Sequence, residues 1–189
     1  MKKKLYGFLL LLFIICISLL IVVLPTFFTK DIGRVAMHQE INLPLLLNTK
    51  EDIQIVFFGY SGCVDICMPR ISAINKIYSS LDAKTKKRVA VAFLDVSSPL
   101  NINLPSDFAK SFNEEFEGIY LDKSRVRGYT KEFNVHFSKS LMDDEEYNHT
   151  TNLYIIKKAE GKKKIRYIYS AFPYDLKQIQ SDIKGLMDE

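Results

Sequence analysis

Residues 5 to 24 form an uninterrupted apolar run without a single charged side chain, and this run constrains the fold more than any other feature of the chain. Its length is close to the roughly 20 residues that an α-helix needs to cross a bilayer. Lysines occupy positions 2 to 4, before the run, while Pro25 and Lys30 follow it. Because lysines concentrate on the cytoplasmic side of membrane helices, the pattern predicts a single-pass helix with a cytoplasmic N-terminus and an exported C-terminal domain.

A cleaved signal peptide is the alternative interpretation of the apolar run. Signal peptides have an apolar region of about 7 to 15 residues and a cleavage site of small residues. Here the run is longer and no A-x-A-like site follows it, which favours a retained anchor. Cys16 lies within the run behind the large Ile15, unlike a lipoprotein cysteine, which follows a small residue.

We therefore expect three segments. Residues 1–28 are the cytoplasmic tip and membrane anchor, residues 29–50 are a tether with a short irregular lead-in, and residues 51–189 are one exported domain. The formal charge of +4 does not belong to that domain, because four of the 26 Lys and Arg residues precede Asp31 and leave 22 to balance 22 acidic residues. Nucleic-acid binding, which needs a basic surface, is therefore not expected. The basic segments 84–88 and 162–164 are predicted to be solvated charges beside strands.

Strands and helices alternate along the exported domain. Ile53–Phe58 and Val89–Val96 are predominantly apolar runs, typical of strands buried on both faces. From Pro69 to Leu81 the apolar residues recur at helical spacing. The other predicted elements are helices from 104, from 124 to 133 and from 175 to 187, and strands at 116–121, 152–157 and 164–169. This order predicts an α/β fold of the thioredoxin-like type, a central mixed sheet flanked by helices.

Cys63 and Cys67 lie four residues apart at the first strand-to-helix junction. A structural disulfide is one interpretation in an oxidising compartment, but a bridge that closes so short a loop restrains little of the unfolded chain. A helix N-terminus favours thiolates. Pro69 suits a first turn and disfavours helical geometry at Met68, so Cys63 is expected in the loop and Cys67 at the start of the helix. The pair is better placed for redox exchange or metal binding.

One histidine is placed to join the two cysteines. Two thiolates suit Cu(I), and an added imidazole would let the site hold Cu(II) as well. His38 lies in the lead-in, and His136 alternates with apolar residues as at a sheet edge. His149 directly precedes the strand predicted at 152–157. In a thioredoxin-like sheet the loop into that strand faces the first strand-to-helix junction, so His149 is the predicted third ligand.

The segments around these residues resemble those of the Sco/SenC family, membrane-anchored, copper-binding thioredoxin-fold proteins that assist assembly of cytochrome c oxidase. The matching stretches are Gly59–Cys67, "VAFLDVSSP" with Asp95, "FEGIYLD", "EFNVHF" and His149. The resemblance covers about residues 50 to 188. Val64 stands where the family usually has proline, and Met68 separates Cys67 from Pro69. Both departures adjoin the cysteines, where they bear on copper affinity and on disulfide formation.

The resemblance implies a copper-binding assembly factor. Cys63 and Cys67 as thiolates and His149 as imidazole would hold one copper ion, Cu(I) or Cu(II). The recipient would be a cuproprotein, such as the cytochrome c oxidase subunit that carries the binuclear copper centre. A thiol–disulfide oxidoreductase with Cys63 and Cys67 as its redox pair, which would reduce the cysteines of the target copper site, is the second hypothesis.

His149 serves a metal better than it serves disulfide exchange, which favours the copper-binding hypothesis. A peroxidase is the weakest of the three, since Tyr60 stands where peroxiredoxin-like sites have threonine. Asp65, between the cysteines, is expected to cap the helix. Asp95 ends the second buried strand, either as a support for the site or for a docked partner, or as an ordinary strand-end residue. The metal-free protein is expected to form a Cys63–Cys67 disulfide.

Overall fold

A computed structural model describes residues 2–28, 33–42, 50–139, 147–159 and 161–189. The chain divides into two compact units, Met1–Ile32 and Gly33–Glu189. The first unit contains helix α1, Lys2–Phe28. Within α1, Tyr6–Leu24 is long and apolar enough to cross a membrane, which fits a single-pass anchor.

The second unit alternates strands and helices as the sequence predicts. Its strands are β1 Arg34–Ile41, β2 Ile53–Gly59, β3 Val89–Asp95, β4 Phe116–Tyr120, β5 Phe137–Lys139, β6 Tyr147–His149, β7 Leu153–Ala159 and β8 Lys162–Tyr169. Its helices are α2 Cys67–Ser79, α3 Ala83–Lys86, α4 Leu104–Lys110, α5 Lys123–Glu132 and α6 Leu176–Met187.

Six strands form the central mixed sheet, in the order β1-β8-β7-β2-β3-β4. Strands β2, β3 and β4 are parallel, whereas β1, β8 and β7 join the sheet in antiparallel pairs. All seven residues of β2 are buried. This burial explains why its sequence is predominantly apolar instead of alternating. The predicted thioredoxin-like α/β fold is confirmed.

Helices cover both faces of this sheet. On one face, Ile74 of α2 and Ile183 of α6 belong to the same buried cluster as Ile55 of β2. On the other face, Val126 of α5 packs in a second cluster with Val56 of β2. Neighbouring residues of β2 enter different clusters because successive side chains in a strand point to opposite faces.

Strand β1 corrects the prediction that residues 29–50 are a tether with a short irregular lead-in. Arg34–Ile41 pairs with β8 along the sheet edge, with a register shift between Ala36 and Gln39. Arg34 anchors the strand by donating hydrogen bonds to both carboxylate oxygens of Asp182 in α6, at 2.7 and 2.8 Å. The strand is mostly exposed and its pairing is irregular, so its sequence lacks the long apolar run that identified the central strands.

Lys163 corrects a second prediction, that segment 162–164 consists of solvated charges. The Lys163 side chain in β8 is only 1% exposed, and its Nζ donates a hydrogen bond to Oε1 of Gln54 at 2.8 Å. Burial lowers the pKa of Lys163 to about 8, since the charged form loses its hydration.

Candidate metal centre

The parallel pairing of β2 and β3 positions the loop that carries Cys63. The register pairs Gly59 with Asp95, so both strands end at the same edge of the sheet. The Asp95 side chain is fully buried and accepts hydrogen bonds from the N–H and hydroxyl of Ser61, at 2.8 and 2.6 Å. It accepts two more from the N–H and hydroxyl of Ser97, also at 2.8 and 2.6 Å. Asp95 therefore fixes the loop two residues before Cys63.

Cys63 and Cys67 are both buried, with 4% and 0% of their surfaces exposed. Cys63 lies in the loop and Cys67 is the first residue of α2, as predicted. The N–H of Cys67 donates a hydrogen bond to Sγ of Cys63 at 3.2 Å. Gly59 makes room for this arrangement, because a Cβ there would lie 2.8 Å from Sγ of Cys67.

Two expectations about the start of α2 are wrong. Met68 is helical, since α2 begins at Cys67 instead of at Pro69. Pro69 is tolerated as the third helical residue because the first N–H groups of a helix have no intrahelical acceptor. Asp65 is exposed and does not cap the helix, whose N-cap residue Ile66 makes no side-chain capping hydrogen bond.

His149 reaches the cysteines from a small hairpin that sequence analysis did not predict. It lies in β6, which pairs with β5 in a separate two-stranded sheet, with His149 opposite Phe137. The next strand, β7, pairs with β2 so that Leu153 is opposite Phe57. The segment before β7 therefore arrives next to the end of β2, where the cysteine loop begins.

The hydrogen bonds of His149 leave one ring nitrogen available as a ligand. Nδ1 lies 3.0 Å from the carbonyl oxygen of Thr150. A carbonyl oxygen can only accept, so Nδ1 carries the proton and Nε2 keeps its lone pair. Nε2 lies 3.7 Å from Sγ of Cys67. The ring of Tyr60 meets the imidazole edge to face, with centroids 6.0 Å apart, and restricts its orientation.

The sulfurs of Cys63 and Cys67 and a ring nitrogen of His149 all lie within 4.8 Å of one another. Metal–sulfur and metal–nitrogen bonds of about 2.3 and 2.0 Å, as at zinc, hold two ligand atoms at most about 4.6 Å apart. Three donors around one ion lie about 4 Å apart, so these atoms need to close by about 1 Å at most. His38 and His136 are exposed and lie outside this group.

The two thiols have pKa values shifted in opposite directions. The pKa of Cys63 is lowered to about 4, first by the hydrogen bond from the Cys67 side chain and then by those from the N–H groups of Cys67 and Ile66. The same hydrogen bond raises the pKa of Cys67, and its complete burial raises it further. In the metal-free centre Cys63 is the thiolate and Cys67 holds the proton.

Sequence comparison places the chain among known proteins. The sequence profile of the SCO1/SenC family matches residues 48–188. A SCO2-like protein of Rickettsia felis is 24% identical over 141 residues, which is 72% of this chain and 66% of the relative. The matched region thus spans just under two thirds of that relative.

Solved structures share the fold. The apo Sco1 protein of Thermus thermophilus has a TM-score of 0.65 at 24% identity, over 81% of this chain and 92% of that chain. ScoI of Arabidopsis thaliana with copper bound has a TM-score of 0.64 at 14% identity, over 82% and 98%. BsSco has a TM-score of 0.57 at 17% identity, over 84% and 94%, and is described as a member of the Sco family of cytochrome c oxidase assembly proteins with a disulfide switch.

Proposed function

This chain belongs to the SCO1/SenC family, and from that premise we propose that it is a copper-binding assembly factor that delivers copper to a cuproprotein. The observation that carries the proposal is the convergence of Cys63, Cys67 and His149 within 4.8 Å. Two thiolates and one imidazole are soft and borderline ligands, which suit copper better than the hard cations that prefer oxygen. The copper-bound relative from Arabidopsis supports the same choice of metal.

Each of the three side chains has a defined part in holding the cargo. Cys63 enters as a thiolate, because its pKa is lowered to about 4. Cys67 releases its proton when the metal binds, as a thiol must to become a ligand. His149 offers Nε2 without rearrangement, because the Thr150 carbonyl already holds the proton on Nδ1.

We further propose that the recipient is the binuclear copper centre of cytochrome c oxidase. This follows from family membership and from the description of BsSco as belonging to a family of oxidase assembly proteins. Transfer is measured by mixing the copper-loaded chain with the metal-free oxidase subunit and following the spectrum of the copper centre. If copper is transferred to another cuproprotein but not to this subunit, the proposed recipient is wrong and the proposed metal stands.

Copper titration of the reduced chain tests the metal centre. We expect one equivalent to bind, with His149→Ala weakening Cu(II) more than Cu(I), since imidazole is the ligand that Cu(II) needs beside two thiolates. Cys63→Ser or Cys67→Ser should abolish the site. His136→Ala is the matched control, because His136 is exposed and lies outside the ligand group. Copper affinity that is indifferent to His149 would contradict this ligand set.

A thiol–disulfide oxidoreductase is the second candidate function, and the contact between Cys63 and Cys67 favours it. The Cys63 thiolate would attack a partner disulfide, forming a mixed disulfide and releasing one partner thiolate. Cys67, after losing its proton, would attack Cys63, forming the Cys63–Cys67 disulfide and releasing the second partner thiol. The partner disulfide is reduced and the cysteine pair is oxidised.

Disulfide-reduction rates of the same variants separate the two functions. An exchange protein should lose activity in either cysteine variant and keep it in His149→Ala. The metal-free chain should also form the Cys63–Cys67 disulfide, since Cys63 and Cys67 are free and adjacent. Two alkylatable thiols outside α1 after mild oxidation would count against the exchange function.

We also propose that α1 is a retained anchor with its N-terminus in the cytoplasm. The lysines before the apolar run support this orientation. A reporter active only outside the cytoplasm, fused after Glu189, should be active. Activity of a cytoplasm-specific reporter at the same position would reverse the orientation, and a shortened mature chain would indicate cleavage.

A further inference from the structure

A cavity of about 300 Å³ lies beside the metal centre, lined by residues of α5, β5, β6 and the segment that follows β3. Val96 and Val126 are buried and give it an apolar base. The ring of Phe137 also lines it and remains 38% exposed. The cavity is open at the surface and is separate from the space between the two sulfurs and His149.

Two cations line this apolar cavity. Lys123 and Arg127 are exposed and lie four residues apart on α5, so their side chains project from the same face of the helix. Among the residues that the structure describes, neither forms an ion pair. The nearby carboxylate of Asp122 is already engaged, since it accepts hydrogen bonds from the N–H groups of Ser124 and Arg125 and pairs with the Arg125 guanidinium at 3.4 Å.

The two serine hydroxyls of the cavity already donate hydrogen bonds within the fold. Ser98 donates its hydroxyl to the carbonyl of Leu121 at 2.7 Å, and Ser97 donates its hydroxyl to Asp95 at 2.6 Å. The cationic groups that an anion in the cavity would meet are those of Lys123 and Arg127. The combination of an apolar base and two cations selects a carboxylate that adjoins an apolar group.

Two chains of contact connect the cavity with the metal centre. Tyr147 lines the cavity and its ring lies 5.5 Å from that of Tyr60, whose ring in turn lies 6.0 Å from His149. Ser97 also lines the cavity, and it shares the Asp95 carboxylate with Ser61 of the cysteine loop. A molecule bound in the cavity would touch both of the segments that hold the metal ligands.

We propose that this cavity docks an acidic segment of the protein that exchanges copper with the Cys63–Cys67–His149 centre. A carboxylate of the partner pairs with Lys123 and Arg127, and a neighbouring apolar side chain packs against Phe137. The positive charge of these two side chains selects an acidic partner. Their position beside the centre brings that partner close to the metal ligands. This inference rests on the proposed copper-binding function.

The test uses the full chain in nanodiscs of phosphatidylcholine, which carry no net charge. The probe is the fluorescent peptide Ac-Asp-Glu-Phe-Glu-Asp-NH2, and its Asn/Gln counterpart is the uncharged comparison. We expect the acidic peptide to bind, and the double variant Lys123→Gln/Arg127→Gln to weaken binding by about fivefold or more, as two lost ion pairs imply. The uncharged peptide should bind equally to both proteins.

A matched double variant controls for net charge. Lys110→Gln/Lys177→Gln removes the same two charges from exposed positions on α4 and α6, outside this cavity, and should leave peptide binding unchanged. Equal weakening by both double variants, or no binding of the acidic peptide, would overturn the docking site. Each variant should still bind one equivalent of copper. A docking failure with intact copper binding rejects this inference alone, whereas absent copper binding in the parent chain rejects both.

Two other occupants are distinguished by the same proteins. If Lys123→Gln/Arg127→Gln weakens association with phosphatidylglycerol vesicles but not with the peptide, the cations bind a membrane surface and the inference is wrong. If the peptide binds only after Asp143, Asp144, Glu145 and Glu146 are replaced by their amides, the chain's own acidic residues compete for the cations, which would equally overturn it.

Discussion

Asp95 accepts two hydrogen bonds from Ser61, one from the backbone N–H at 2.8 Å and one from the hydroxyl at 2.6 Å. This contact joins the end of β3 to the loop that follows β2, although the two residues are 34 positions apart in sequence. Since Asp95 is completely buried, its charge depends on these donors and on the two from Ser97. The same hydrogen bonds thus fix the position of the cysteine loop and stabilise the buried carboxylate.

The variant Asp95→Asn should be destabilised by about 2–3 kcal/mol, because the amide nitrogen cannot accept the hydrogen bonds that the carboxylate oxygen accepted. Copper affinity should also fall, since the loop before Cys63 loses its support. Chemical denaturation and copper titration of the full chain measure the two effects. Asp107→Asn, in the exposed first turn of α4, is the control; equal effects of the two substitutions would contradict a specific role for Asp95.

Gly59→Ala should damage the centre by steric overlap. The new Cβ would lie 2.8 Å from Sγ of Cys67 and 2.9 Å from a ring carbon of Phe93. Relief of such overpacking typically costs about 1–3 kcal/mol. Gly128→Ala on α5 meets nothing within 4 Å and should be neutral or stabilising, as alanine is a better helix former. Chemical denaturation of the two variants provides the comparison. A Gly59→Ala protein as stable as the parent chain would show that α2 can shift away from the new Cβ without cost.

Tyr60→Leu should weaken Cu(II) binding about two- to tenfold, the range given by an edge-to-face aromatic contact. Tyr60→Phe keeps the ring that faces His149 and should bind copper like the parent chain. Competition titration with a Cu(II) chelator measures the affinities. A loss in Tyr60→Phe as large as in Tyr60→Leu would assign the effect to the hydroxyl instead of to ring packing.

Alkylation of the metal-free chain should reveal Cys63 as a thiolate. Because the pKa of Cys63 is lowered to about 4, its rate of reaction with iodoacetamide should be nearly constant from about pH 5.5 to 8. An ordinary thiol would react about tenfold faster with each added pH unit in this range. Cys67→Ala removes the hydrogen bond from the side chain but keeps those from the backbone N–H groups, so the rate should become more dependent on pH. Peptide mass spectrometry separates Cys63 from Cys16; a steep profile in the parent chain would refute the prediction.

Lys163 should make stability depend on pH in the alkaline range. Its pKa is lowered from the ordinary 10.5 to about 8 by burial, so between these values the unfolded chain binds a proton that the folded chain lacks. The free energy of unfolding therefore rises as the pH increases from about 8 to 10.5. This gain in stability is lost again as the pH falls to 8. Relative to Lys163→Met, the parent chain should gain about 3 kcal/mol across the window. Denaturation curves at several pH values test this, and a constant difference would contradict it.

The parts of the fold that sequence predicts are those where burial leaves a simple pattern. Strands β2 and β3 are predominantly apolar because both of their faces are covered. Helices α2 and α6 show helical spacing because one face of each packs on the sheet. Strand β1 was missed because it lies mostly exposed at an edge and is held by pairing with β8. Strands β5 and β6 have three residues each, too few for any periodic signal.

Some residues of the candidate site could likewise be predicted from the sequence, and others could not. Cys63, Cys67 and His149 were identified from residue type, spacing and resemblance, and the structure brings them together. The roles of Asp95 and Tyr60 were left open or missed, because hydrogen bonds and ring contacts between distant segments depend on strand register. The burial of Lys163 was missed for a related reason: three consecutive lysines suggest solvent, whereas alternation in β8 points the middle one inward.

The thiol ligands and the imidazole ligand of the centre come from two different sheets. The dithiol belongs to the central sheet and its first helix, whereas the imidazole arrives on a two-stranded appendage that shares no strand with that sheet. A dithiol protein of this architecture could therefore acquire or lose metal binding through insertion or deletion of one short hairpin, with its core unchanged.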